Sequence, residues 1–305
     1  MSKKSYRRVL ILILLALFFT TLLSPWVAAF WNFVLDLRPQ WEMPRYPFSR
    51  MFDRTFMIMG IILFFAFRRR LEINSASQLG LGPFREGYPD LLRGFLLALV
   101  SFIVVGFAMS LAEVFTPYFR LPISEALQDF SKALLAALTV AFLEEIFFRG
   151  IIFKGLVEDW RPTGAIVVTS LFYSAIHFVT PAEKIPLSGL HPLAGLRHLI
   201  QAFRPFLDLP PLLPGIFGLF LLGIVLCYAY HRSGSLYLSI GLHAGWVLGL
   251  KIIRIFGDYN VEDLGWFFGS SAPKIVSGPA SWIGILVIGA MVHWSTRERP
   301  NPLPK

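Results

Sequence analysis

Charge is scarce in this chain. Of 305 residues only 15% are Asp, Glu, Lys or Arg, against about 25% in an average soluble domain. With 55% hydrophobic residues and a mean hydropathy of +0.63, this shortage excludes an ordinary soluble fold, which would have to expose large apolar patches. Cysteine is almost missing: Cys227 stands alone inside an apolar run. One cysteine forms no intrachain disulfide, and a thiol in apolar surroundings is a poor nucleophile because burial disfavours the thiolate. It reads as packing. Acidic residues are outnumbered 19 to 28, yet the net charge of +9 does not point to nucleic acid. The basic residues cluster at the ends of apolar runs, as Lys3, Lys4, Arg7 and Arg8 and again as Arg68, Arg69 and Arg70, where they anchor helices in anionic headgroups. No fixed-period repeat and no low-complexity linker divides the chain. There is no Gly-x-Ser-x-Gly for a serine hydrolase and no His-Glu-x-x-His for a zinc helix. Gly257-Asp258 lacks the preceding glycine and the second aspartate helix of an aspartyl site.

What is present is a series of apolar segments near the roughly 20 residues that a spanning helix needs. They cover 9–34, 51–67, 91–115, 131–154, 163–180, 214–231, 235–255 and 279–294. They predict an all-α, polytopic membrane helix bundle with about eight transmembrane helices. N-terminal helices would occupy 1–130, a core 131–255, and a last helix and tail 256–305, all in one integral bundle. The first segment begins like a secretory signal, and Val27-Ala28-Ala29 weakly resembles a cleavage site. Its apolar stretch, Val9 to Val34, exceeds an h-region of about 7–15 residues, so it reads as an uncleaved helix. Flanking positive charge sets orientation: Arg68–Arg70, Lys154, Arg161, Arg232, Arg297 and Arg299 fall on the side of the basic N-terminus, while Arg38, Arg45 and Arg50 fall on the other. The balance predicts cytoplasmic N- and C-termini in the plasma (inner) membrane. The one long connection, 181–213, is rich in proline (Pro181, Pro186, Pro192, Pro205, Pro210, Pro211). Within it, Leu193 to Phe206 predicts an interfacial amphipathic helix, and His191 and His198 read as solvated loop residues.

Charge at membrane depth is expensive and needs a reason. The fourth segment contains Glu144-Glu145-Ile146-Phe147-Phe148-Arg149. Glu145 and Arg149 are four apart, so they share a helical face and can pair. Glu144 is turned about 100° from Glu145 and points towards another helix. One carboxylate is neutralised locally and the other left available, in surroundings that suit a general base. A buried ion pair that merely fixes packing accounts for Glu145 and Arg149 but leaves Glu144 unexplained. Two histidines on later segments are candidate partners: His177 in the fifth and His243 in the seventh. Gly241 and Gly245 bracket His243 at four-residue spacing and would let a helix or a substrate backbone approach closely. At 1.5 Å per residue, Glu144 lies about 15 Å from the cytoplasmic end of its helix and His177 about 21 Å deep.

Glu-Glu-x-x-x-Arg followed by one histidine-bearing helix and then another resembles the CPBP family, which includes the type II CAAX prenyl endopeptidases and bacteriocin-processing enzymes. The resemblance covers about 131–250. It implies an intramembrane endopeptidase in which Glu144 activates water, His177 assists it, His243 stabilises the oxyanion, and Glu145 and Arg149 support them. Tyr173 stands where the family commonly has Phe, four residues before the histidine, and keeps an aromatic. Val247 stands where the third motif commonly has Asn, so one oxyanion contact is in doubt. Lys251 lies two turns beyond His243 and reads as a residue reaching for the interface. Glu144, His177 and His243 could form a two-His, one-carboxylate site. A zinc-bound mechanism and a metal-free, glutamate-dependent one both stand, and no cofactor is taken as required. The implied partners are a membrane-associated peptide, prenylated or leader-bearing, and the bilayer, with no nucleic acid and no assigned oligomeric state. Two rivals are a catalytically impaired binding or immunity-type protein on the same fold, for which Val247 argues, and a proton-relay transporter.

Overall fold

The computed structural model describes residues 5–41, 45–71, 73–118, 121–179, 190–260, 264–269 and 275–299. Lys3, Lys4, Pro181 and Pro186 lie outside them. Among the described residues the regular structure is helical apart from one short strand pair. Its helices are α1 Ser5–Leu37, α2 Phe48–Phe67, α3 Phe84–Leu111, α4 Ile123–Glu145, α5 Lys154–Asp159, α6 Pro162–Ile176, α7 Ala194–Ala202, α8 Leu213–Ser233, α9 Leu236–Ile255, α10 Gly265–Phe268 and α11 Pro279–Thr296. A π-helical segment, Ile146–Phe153, joins α4 to α5.

A helix covers most of each of the eight expected spans, but among the described residues only four segments are long and apolar enough to cross a membrane: Tyr6–Leu37, Ala76–Leu111, Leu213–Ser233 and Leu236–Ile253. The count of eight is therefore not carried over. The reasons lie in the residues. Arg50, Asp53 and Arg54 load the first turns of α2. Glu125, Asp129 and Lys132 load α4 before its two glutamates. Helix α6 has only 15 residues, and α11 tapers into His, Trp, Ser and Thr. The protein is nonetheless an integral membrane protein. Along α3, Leu96, Val100, Ile103, Val104, Phe107 and Leu111 are each at least half exposed. This stripe suits lipid and would be costly in water.

Packing divides the chain into two compact units, 1–74 with 175–212, and 75–174 with 213–305. In the first unit, α1 buries Leu12, Ala16, Thr20, Ser24 and Ala28, every fourth residue, so one narrow face meets its neighbours. Phe48, Met51 and Phe52 of α2 pack with Ala28 and with Ala194 of α7. Gly195 permits the close crossing, since a Cβ there would lie 1.9 Å from the Thr21 carbonyl oxygen. The outer face of α7 and the residues beside it present Leu193, Leu196, Ile200, Phe203 and Leu207, all exposed, in keeping with an interfacial helix.

His191 is exposed, but His198 corrects the expectation of a solvated loop residue. It is 3% exposed and packs against the rings of Phe48 and Phe52, at centroid separations of 5.4 and 4.4 Å. The helical periodicity of α7 turns it inward with Ala194 and Ala202. Burial disfavours the imidazolium and pushes its pKa below the ordinary 6.5. Above that value both folded and unfolded states are neutral and stability is complete. As pH falls through 6.5 the unfolded chain binds a proton that the folded one does not, so stability is lost on acidification. Thermal unfolding between about pH 7.5 and about pH 5.5, roughly one unit either side of the ordinary histidine value, should show this loss, and His198→Phe should flatten it. An unchanged slope in the variant would contradict the assignment.

In the second unit, α3 and α9 pack along most of their length. Gly241, Gly245 and Gly249 on α9 sit against Leu91, Phe95, Ala98 and Phe102 of α3, while Gly94 of α3 sits against Leu238 and Leu242. A Cβ at Gly241 would lie 2.1 Å from the Leu91 carbonyl oxygen. These glycines are thus occupied by a helix. Beyond them, Phe115–Pro117 (β1) and Gly257–Tyr259 (β2) pair antiparallel, Thr116 opposite Asp258, and the Tyr118 hydroxyl donates to Asp258. This pair ties the chain after α3 to the chain after α9. Ala98, Leu226, Leu242, Trp246, Ile288 and Val292 form a core shared by α3, α8, α9 and α11. At the end of α11, Arg232 donates to the carbonyls of Thr296 and Arg297 at 2.9 and 3.1 Å, satisfying terminal acceptors. Arg299 makes a two-pronged bond to Asp90 at 2.6 and 2.8 Å.

Candidate active site

Helix α4 buries Ala133, Ala137, Ala141 and Glu145, again every fourth residue. Three alanines let α9 approach, and Ala133 and Ala137 meet Leu248 in an apolar cluster that Val247 also joins. The fourth member of the stripe is a carboxylate. On α9, Gly241 and Gly245 face α3, so His243, two residues from each, is turned about 200° away, towards α4. This opposed geometry brings His243 to Glu145: its Nδ1 lies 2.8 Å from Glu145 Oε1.

Arg149 Nη1 donates to the same Glu145 oxygen at 2.8 Å, and both side chains are fully buried. The guanidinium also donates to the Gly223 carbonyl of α8 at 3.4 Å. It lies 4.6 Å from the centre of the Tyr173 ring, a cation–π contact strengthened by exclusion of water. Tyr173 in turn meets the edge of Phe148 at 5.0 Å and the His243 ring at 6.1 Å, both near perpendicular. Gly223 is needed where α8 crosses α6, since a Cβ would lie 2.9 Å from that of Ser170.

This network fixes His243. A carboxylate paired with arginine accepts only, so Nδ1 is the donor to Glu145. The other nitrogen, Nε2, faces Glu144 Oε2 at 3.9 Å, beyond direct hydrogen-bond length. Nε2 accepts in the neutral ring and donates in the protonated one. Exposure separates the two carboxylates: the Glu144 side chain is 30% exposed, that of Glu145 not at all. Part of the Glu144 side chain reaches the surface, although its Oε2 is buried, and none of Glu145 does. The sequence analysis treated Glu145 only as the partner of Arg149. Its bond to His243 was missed, because the two are 98 residues apart and no local pattern links them. The π-helical turn carrying Arg149 was missed as well; such segments recur at functional sites, but nothing in Ile146–Phe153 announces one.

His177 was expected inside the fifth span. It lies one residue past the end of α6, exposed, in a turn where the amides of Phe178 and Val179 donate to the carbonyls of Ala175 and Ile176. It belongs to the first unit, whereas Glu144, Glu145, Arg149, Tyr173 and His243 belong to the second. Among the described residues no group of three or more His, Cys, Asp or Glu is arranged to hold a metal ion. In the second unit, His243 Nδ1 is already engaged by Glu145, which leaves Glu144 and Nε2 as two donors. Within the second unit these are one fewer than the three protein ligands that a catalytic zinc takes. Lys251 is half-buried near the end of α9.

No curated protein and no solved structure matches the chain. Residues 126–249, which run from the first turns of α4 to two turns beyond His243, match the family model described as Type II CAAX prenyl endopeptidase Rce1-like. Over that stretch, less than half of its length, the chain is similar to the type II CAAX prenyl endopeptidases.

Proposed function

We propose that this protein is an intramembrane endopeptidase that hydrolyses a peptide bond of a membrane-associated substrate, prenylated or leader-bearing, with Glu144 as general base. The observation that carries the reading is the division of labour between adjacent carboxylates. Glu145, buried and paired, orients His243, and Glu144, partly open, faces the free nitrogen of the same ring. Glu144 takes a proton from water as its oxygen attacks the scissile carbonyl. The protonated His243 ring donates from Nε2 to the resulting oxyanion, the form of stabilisation that weighs most in acyl transfer. The proton held by Glu144 then passes to the departing amine as the C–N bond breaks. By the family resemblance His177 assists Glu144, and we place both chain termini on the cytoplasmic side of the plasma (inner) membrane. The scheme routes no step through a metal.

A specific observation favours a second reading. Val247, one turn beyond His243, packs in an apolar cluster and supplies no donor, as expected of a binding protein that has lost catalysis. The full chain reconstituted in liposomes, offered a farnesylated C-terminal peptide and a leader-bearing peptide, separates the readings by mass spectrometry of the products. Cleavage of either peptide, unaffected by 1,10-phenanthroline, is the expected result. Loss of cleavage with the chelator and recovery with zinc would contradict the metal-free scheme. Absence of any wild-type cleavage would favour the binding protein.

A further inference from the structure

Outside the candidate active site, the first unit holds a cavity of about 290 Å³ lined by Trp31, Tyr46, Arg50, Met51 and Arg54. It lies between the last turns of α1 and the first turns of α2. Its walls form a stack. The Trp31 and Tyr46 rings lie 6.0 Å apart and 24° from parallel, and the Arg50 guanidinium sits 4.9 Å from the Tyr46 ring centre. Stacking holds a guanidinium by its face and leaves its N–H edges for a ligand. Arg54 is one helical turn further along the same face. The indole Nε1 of Trp31 is buried and makes no hydrogen bond among the described residues, a costly state for a donor that its surroundings do not serve.

We propose that this cavity binds the phosphodiester headgroup of an anionic membrane lipid, held by Arg50, Arg54 and the indole N–H of Trp31. Two guanidiniums and a neutral donor around one small cavity match a tetrahedral monoanion with several acceptor oxygens. Trp31 is six residues from the end of the 33-residue α1, so the cavity sits about 9 Å inside that helix end at 1.5 Å per residue. That is the depth of the aromatic belt and the headgroups. Below it, Val27 and Phe30 of α1 and Ile58, Ile61 and Ile62 of α2 are exposed, an apolar surface on which acyl chains can lie. Free phosphate shares the headgroup's chemistry but gains nothing from that surface. Asp53, beside Arg54, offsets one positive charge, which suits a ligand of charge −1. The inference is independent of the protease reading.

Native mass spectrometry of the full chain in neutral detergent provides the test, with phosphatidylglycerol, phosphatidylcholine and inorganic phosphate as probes. Wild type should retain one phosphatidylglycerol, bound about tenfold more tightly than phosphatidylcholine, and inorganic phosphate at equal concentration should not displace it. Arg50→Gln with Arg54→Gln should weaken binding about tenfold or more. Trp31→Phe, which keeps an aromatic ring in the stack but removes the N–H and part of the ring, should weaken it by a smaller factor with the fold retained. Equal lipid retention by wild type and both variants would overturn the site. Displacement by inorganic phosphate would overturn its assignment to lipid.

Discussion

Glu144→Gln should lower the rate of peptide hydrolysis by about 10²- to 10⁴-fold, the contribution typical of a positioned general base, and leave thermal stability nearly unchanged. Gln keeps the shape and hydrogen-bonding capacity of the side chain but cannot take a proton from water. The side chain is 30% exposed, and the substitution leaves the fully buried Glu145–Arg149 pair intact. KM should change little, because the base acts on water rather than on the peptide. The measurement is steady-state cleavage by reconstituted protein, read beside a melting curve. A variant that cleaves at the wild-type rate would leave Glu144 without a catalytic role.

Arg149→Met should do the opposite: it should unfold the second unit before it can inform on chemistry. Removing one partner of a buried pair strands the other, at a cost of about 3–5 kcal/mol. Here the stranded group is Glu145, fully buried and bonded otherwise to His243. Replacing both members is much less costly, because apolar side chains of similar volume repack without desolvating a charge. The double variant Glu145→Leu, Arg149→Met should therefore melt above the single Arg149→Met and still cleave poorly, since His243 has lost the carboxylate that orients it. Thermal melts of the single and double variants check the first part and the cleavage assay the second. A double variant no more stable than the single would mean that Arg149 acts through Tyr173 and Gly223 rather than through the ion pair.

The parts of this molecule that could be read from sequence are those set by local geometry. A spacing of four puts Glu145 beside Arg149 whatever surrounds them, and a run of apolar residues makes a helix wherever it falls. The Gly241 and Gly245 spacing announced a close approach, though not that α3 would be the occupant. What escaped depends on distant packing. The alanine stripe of α4 and the glycine stripe of α9 are each visible alone, but only their opposition turns His243 onto Glu145. The strand pair Phe115–Pro117 and Gly257–Tyr259 joins segments 140 residues apart, too short to show alternation. His198 was misjudged because a proline-rich segment looks solvated until α7 is seen laid against α1. The end of α6 before His177, and the shortness of that helix, depend on a turn that apolar composition does not signal.

The central claim is that Glu144 and His243 act as one unit on the same reacting atoms. A double-mutant cycle on reconstituted protein tests it most directly, with cleavage rates for wild type, Glu144→Gln, His243→Gln and the two combined. Residues that work as a unit lose their effect together, so the account predicts that the combined variant is about as slow as the slower single one. Losses that multiply across the two positions would show them acting independently and would contradict it.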